Sequence, residues 1–142
     1  MITITKIFHF EMAHAIKGYE GPCKNIHGHS YELHVTLSSA DKTAGYIPAP
    51  GFIIDFKDVK KNVQHSIIEK SDHCLLVSKD YLAENPSIAS QENLVIFEAE
   101  PTAENLLTYI SRILQKTLPA KTELVHLKLF ETKDSYAEWH KI

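Results

Sequence analysis

Cysteine is scarce in this chain, with Cys23 and Cys74 the two examples among 142 residues. Two thiols cannot staple a disulfide-rich scaffold, and their rarity fits a reducing, cytoplasmic setting. Long apolar runs are missing as well. Stretches such as Phe52 to Ile54 and Leu94 to Phe97 fall far short of the roughly 20 residues a helix needs to cross a bilayer. The N-terminal Met1-Ile2-Thr3-Ile4-Thr5-Lys6 alternates apolar with polar and has no basic segment ahead of an apolar one, so no signal peptide is expected. Positive charge is not in excess: 15 Lys and Arg face 18 Asp and Glu, a formal net charge of −3. That balance excludes the broad basic footprint of a nucleic-acid binder. Hydrophobic residues at 44% and charged residues at 23% exclude disorder. A chain of this length forms one domain, residues 1–142, with a core large enough to need neither metal nor disulfide for folding. Histidine is what the chain has in abundance, nine residues against six Phe and six Tyr.

The hydrophobic pattern organises the chain. Residues 2–14 alternate as a strand, with Ile2, Ile4, Phe8, Phe10, Met12 and His14 on one face. Gly18, Gly21, Pro22 and Asn25 mark a loop over 15–26. A second strand over 27–38 carries His27, His29, Tyr31, Leu33, Val35 and Leu37 on one face, and one loop joins the two strands, so they should pair antiparallel. After a Gly- and Pro-bearing loop over 39–51, a short strand at 52–54 leads into a helix capped by Asp55. That helix runs to about Lys70, with Phe56, Val59, Val63 and Ile67 as its buried stripe. Residues 71–92 read as irregular and 93–97 as a short strand. Thr102 caps a second helix bearing Leu106, Leu107, Ile110, Ile113 and Leu114, which Pro119 ends. Strands at 123–131 and 135–140 complete the order. The expected class is α+β, two helices covering one face of an antiparallel sheet.

Histidine placement carries the chemistry. His27 and His29 lie two residues apart on a strand and therefore project from the same face. His14 ends the neighbouring strand on its apolar face. Three neutral imidazoles at one end of one surface can hold a divalent ion and leave a coordination position open, the arrangement of a catalytic zinc, although other divalent metals accept imidazole too. Cys23 precedes His27 by four positions. From spacing alone it is equally a fourth ligand closing the site or a reactive thiolate, with a passive small residue as the third reading. Asp72-His73 follows the first helix and could act as an oriented proton relay. Glu131 continues the apolar row Val125, Leu127, Leu129. Either the strand has ended and this carboxylate is solvated, or it is half-buried and needs a partner, which the two N–H donors of a guanidine-like ring edge would supply.

These residues together resemble the 6-pyruvoyl-tetrahydropterin synthase family. The resemblance runs almost from end to end, through Phe10-Glu11-Met12-Ala13-His14, Cys23-x3-His27-Gly28-His29-x-Tyr31, Ile54-Asp55-Phe56, Asp72-His73, Pro101-Thr102-Ala103-Glu104-Asn105 and Glu131-Thr132. It implies that His14, His27 and His29 bind Zn2+ and that Cys23 is a catalytic base rather than a ligand. Asp72 and His73 would relay protons, Glu131 would anchor the pterin, and Thr102 would lie among the substrate-binding residues. Ser71 and Val77 stand where the family usually has Leu and often has Asn.

The three residues between Cys23 and His27 are similar to the spacing of the 6-carboxy-5,6,7,8-tetrahydropterin synthase branch, which serves queuosine (7-deazaguanine) biosynthesis. The resemblance therefore implies a lyase acting on 7,8-dihydroneopterin triphosphate, releasing triphosphate and acetaldehyde. The runner-up activity is the 6-pyruvoyl reaction, triphosphate elimination alone. A reading of another class is a non-catalytic module closed around zinc by Cys23, His14, His27 and His29. The family fold is the tunnelling fold (T-fold), in which trimers close a barrel and pair into hexamers with sites at subunit boundaries. A homo-oligomer is accordingly expected, without nucleic acid or membrane as partners.

Overall fold

The computed structural model describes residues 1–42 and 44–142. Two long strands form its centre: β1 (Thr3–His14) and β2 (His27–Ser39), antiparallel and in register from Thr3 opposite Ser38 to His14 opposite His27. The alternation behind them is real. Phe8, Phe10, Met12 and His14 of β1 are buried, as are Tyr31, Leu33, Val35 and Leu37 of β2.

Helix α1 begins at Phe56 under the Asp55 cap, whose carboxylate accepts from the Lys57 N–H at 2.8 Å. It runs as α-helix over Phe56–Val63, as a π-turn over Gln64–Ile68, and as α-helix again over Glu69–Ser71. The extra residue in the wide turn lets Ile67 and Ile68 both reach the core beside Val59 and Val63. Phe56, expected in that stripe, is instead 49% exposed, because it starts the helix at the rim of the sheet. The segment 52–54, expected as a strand, is a bend, although Ile53 and Ile54 are buried.

Residues 71–92, expected to be irregular, contain β3 (Cys74–Ser78) and a short helix α2 (Lys79–Glu84) capped by the Ser78 hydroxyl. β4 (Leu94–Phe97) follows. Helix α3 (Ala103–Thr117) is capped by Thr102, whose hydroxyl accepts from the Asn105 N–H at 3.3 Å. β5 (Thr122–Thr132) and β6 (Ser135–His140) close the chain.

The six strands form one sheet in the order β4-β3-β1-β2-β5-β6. The expectation of an antiparallel sheet needs correcting: β3 runs parallel to β1 and β4 parallel to β3, so the sheet is mixed. The α+β class stands, as do the two long helices on one face, while the short α2 packs on the other side of β3. α1 and α3 lay Val59, Val63, Ile67, Leu106, Leu107, Ile110 and Leu114 against the inward residues of β1, β2 and β5. β3 is covered on both sides, since Leu75 and Val77 pack with Ala15 and Tyr81 while Leu76 joins the main core.

β5 departs from simple alternation. Thr36 pairs with His126 and Leu37 with Leu124, which leaves Val125 as an extra residue in a bulge. Leu124 therefore takes the buried place that the sequence pattern assigned to Val125. A second irregularity lies between Phe130 and Thr132, and Glu131 occupies it.

Candidate metal centre and active site

The end of the β1–β2 ladder brings His14, His27 and His29 together, as strand pleating requires. His14 is 2% exposed and packs edge-on against both other imidazoles, with centroids 4.6 Å and 5.1 Å away. Tyr31 walls the inner side of the group. Its ring stands edge-on to His29 at 5.6 Å and stacks on Phe10 at 5.1 Å. Burial, with the negative charges of Glu131 and Cys23, pushes the Tyr31 phenol far up and keeps it neutral.

Backbone carbonyls set the direction of two rings. His14 Nδ1 lies 2.7 Å from the Pro101 carbonyl, and His27 Nδ1 lies 2.7 Å from the Asn25 carbonyl. A carbonyl can only accept, so each Nδ1 carries hydrogen and donates. In the neutral rings, each Nε2 lone pair then faces inward. The two Nε2 atoms are 3.1 Å apart. Glu131 Oε1 stands 3.3 Å from His14 Nε2 and 2.9 Å from His29 Nε2. One donor atom from each of His14, His27, His29 and Glu131 lies within 4.8 Å of the others.

A cluster of lone pairs at such separations repels itself unless a cation sits among them. In the metal-free chain the His14 imidazole bonds to the Glu131 carboxylate. That bond, with the nearby imidazoles, holds the Glu131 carboxyl below the usual range against the opposing effect of burial. Burial lowers the pKa of His29, and the neighbouring His14 and His27 lower it further, against the pull of Glu131. The His29 Nε2 is buried yet makes no hydrogen bond of acceptable angle despite its closeness to Glu131. Three inward imidazoles, a carboxylate and an orphaned buried nitrogen fit a borderline divalent ion.

Cys23 is a free, half-buried thiol on a single 3₁₀ turn, Pro22–Lys24. Its carbonyl accepts from the Ile16 N–H at 2.9 Å, and the Tyr81 hydroxyl donates to the Lys24 carbonyl at 3.1 Å. The turn is thus tied to the segment just after β1 and to α2. Among the described residues the fourth donor beside the three imidazoles is Glu131 rather than Cys23.

Asp72 and His73 are placed differently. The Asp72 carboxylate accepts from the Glu11 N–H at 2.8 Å, which is the main reason its pKa lies below the usual range, and it stands 3.1 Å from His73 Nδ1. His73 adopts a left-handed backbone, φ 61°. It is held there by its N–H donating to the Glu11 carbonyl at 2.6 Å and by Asn93 Nδ2 donating to its own carbonyl at 2.9 Å. Its side chain is 78% exposed. Among the described residues no hydrogen bond or ion pair joins this dyad to Cys23, Glu131 or the three imidazoles. His73 and His29 both line an open cavity of about 300 Å³, with Glu11, Ser30 and Asn93 also on its wall.

Sequence reasoning did not anticipate Glu131 as a fourth donor, nor the carbonyls of Pro101 and Asn25 that orient the rings. Backbone acceptors leave no residue-type signal. The position of Pro101 directly before the Thr102 cap is the nearest available hint.

Two helices back a mixed sheet, and a three-imidazole, one-carboxylate donor set that could hold a metal ion stands at the end of its central hairpin. The family model described as 6-pyruvoyl tetrahydropterin synthase matches residues 3–141. The chain belongs to that family of pterin synthases. It is 30% identical over 145 residues to a 6-carboxy-5,6,7,8-tetrahydropterin synthase of Haemophilus influenzae, covering 99% of this chain and 100% of the relative. It is likewise 30% identical to the protein of that name from Aquifex aeolicus, over 96% of each chain. Among solved structures, a 6-pyruvoyl tetrahydropterin synthase of Caenorhabditis elegans superposes with a TM-score of 0.71 at 20% identity, covering 99% of this chain and 96% of that one.

Proposed function

We propose that the chain is a 6-carboxy-5,6,7,8-tetrahydropterin synthase. It converts 7,8-dihydroneopterin triphosphate to 6-carboxytetrahydropterin with loss of triphosphate and acetaldehyde, in queuosine biosynthesis. Full-length relatives bearing that name support the choice of reaction. The observation that carries the chemistry is the convergence of three imidazole nitrogens and a carboxylate oxygen at one partly buried point.

In this reading His14, His27 and His29 hold Zn2+, which when bound supplies Lewis acidity toward the substrate's side-chain hydroxyls. Cys23, on the tethered turn, takes a proton from the substrate side chain. His73, oriented by Asp72, carries the complementary proton. Glu131 keeps Oε1 toward the imidazoles, and its Oε2, with no hydrogen-bond or ion-pair partner among the described residues, accepts from the ring edge of the pterin. The Thr102 hydroxyl accepts from Asn105 and still has its own hydrogen to donate to substrate.

Among the described residues the exposed His73 has no hydrogen bond or ion pair to Cys23, which supports a site completed by a neighbouring protomer. The two sheet edges, β4 and β6, favour the same homo-oligomer, a barrel-closing trimer or a hexamer built from two. Val95 and Ile96 on β4 are exposed, and an unpaired edge is a ready template for another chain.

Incubation of the purified protein with 7,8-dihydroneopterin triphosphate tests the proposal. Carboxylated pterin with equimolar acetaldehyde is expected. The diketo pterin without acetaldehyde would move the assignment to 6-pyruvoyl-tetrahydropterin synthase. A metal-stripped protein that unfolds, rather than staying folded and inactive, would favour a zinc-stabilised module.

A further inference from the structure

A second set of donors converges on the sheet face away from α1 and α3. His126 of β5 and His140 of β6 are cross-strand partners. Glu138, two residues before His140, projects to the same side because strand side chains alternate. The two imidazoles stack with centroids 4.4 Å apart and planes 23° from parallel. Glu138 reaches both: Oε1 lies 3.2 Å from His126 Nε2 and Oε2 lies 3.8 Å from His140 Nε2. One donor atom from each residue lies within 4.8 Å of the other two.

Nearby cations are otherwise engaged. Lys128 Nζ stands 3.8 Å over the Tyr136 ring and 4.9 Å over the Phe130 ring, and Lys141 pairs with Glu123. Among the described residues, the ion-pairing partners of Glu138 are the two imidazoles. The scaffold under them is fixed, since Lys141 N–H donates to the Val125 carbonyl at 3.0 Å and holds the end of β6 against the bulge. Side-chain exposure rises from 24% at His126 to 67% at His140, so the set has an inner wall and an open side from which an ion can enter.

We propose that His126, Glu138 and His140 form a second divalent transition-metal site. Two imidazoles and one carboxylate select zinc, nickel or copper over magnesium and calcium, which prefer all-oxygen shells. His126 precedes Glu131 by five positions, roughly 16 Å of extended strand, and faces the other side of the sheet, so the two centres share no ligand. An ion here joins the edge strand β6 to β5 and stabilises the folded chain by mass action. It takes no part in turnover.

The test is to strip the protein of metal and titrate it with Zn2+, and in parallel with Ni2+, near pH 8, above the ordinary histidine range of about 6.5. Bound metal is counted by equilibrium dialysis, and Tm and turnover are recorded alongside. The native chain is expected to take two equivalents, the second raising Tm without changing turnover. The double variant His126→Ala, His140→Ala is expected to take one and to lose the second Tm increment while keeping full activity. Glu138→Gln, nearly isosteric, should weaken the second equivalent alone, and His27→Ala should still bind at the β5–β6 site. A native chain saturating at one equivalent, or a double variant still taking two, would overturn the proposal.

Discussion

The strand-borne imidazoles and the Asp72-His73 dyad are built on opposite terms. His14, His27 and His29 sit at fixed steps of a pleated ladder, with His14 buried and two rings tethered to carbonyls. Asp72 and His73 sit on a left-handed turn, anchored through the backbone of Glu11, with the His73 ring out in solvent. A binding centre gains from rigidity, because donors held close before an ion arrives pay little to be ordered. A proton carrier gains from reach. The first group is complete within one chain, whereas the second faces outward and awaits something to act on.

Substitutions separate the two regions most sharply. His14→Ala should lose the metal equivalent held by the three imidazoles, leaving the one at the β5–β6 site, and lower turnover on the order of a thousandfold or more. Metal content and kcat on the same preparation check this, and a variant that binds as many equivalents as the native chain would break the contrast. Cys23→Ala should lower kcat by roughly 10²–10⁴-fold with metal content unchanged, as expected for a lost general base. Asp72→Asn removes orientation rather than the relay itself, so a drop of about tenfold to a hundredfold in kcat with little change in KM is expected. If neighbouring protomers share the site, mixing Cys23→Ala chains with His73→Ala chains and reassembling them should recover activity that neither variant has alone. Failure of that recovery would place the dyad in its own chain's site.

Legibility follows the same division. β1 and β2 were readable because one face of each is buried and the other is not, so apolar residues alternate, and the donors inherit that pattern. α3 announced itself through Thr102, its Leu and Ile stripe and Pro119. β3 did not, because Leu75, Leu76 and Val77 are buried on both sides and a strand covered on both faces loses its period of two. The parallel pairing of β3 and β4 was hidden for the same reason. The bulge at Val125 shifts the buried position by one residue, and no residue type in the sequence marks it. Cys23 stood out by its position before His27, but spacing left fourth ligand and reactive thiolate level, with a passive residue as the third reading. The donor role of Glu131 depends on a register break that only the fold displays.

Acid should produce the smallest effect, in the metal-free protein. Burial keeps His29 below its ordinary 6.5, so the unfolded chain binds more protons than the folded one in that range. Stability therefore rises with pH there and is lost as pH falls. Glu131, held below 4.5 by its bond with His14, adds a contribution of the same sign that is present above the ordinary carboxylate value and lost at lower pH. Denaturant midpoints of metal-stripped protein measured between about pH 7 and pH 5 should decline, and a midpoint that rises would contradict the burial of His29.

X-ray absorption of the chain loaded with a single zinc equivalent bears most directly on the central claim that strand-borne imidazoles, without sulfur, hold the ion. The account predicts a shell of nitrogen and oxygen scatterers at about 2.0–2.1 Å, unchanged in Cys23→Ala. A sulfur scatterer near 2.3 Å that disappears in that variant would contradict it.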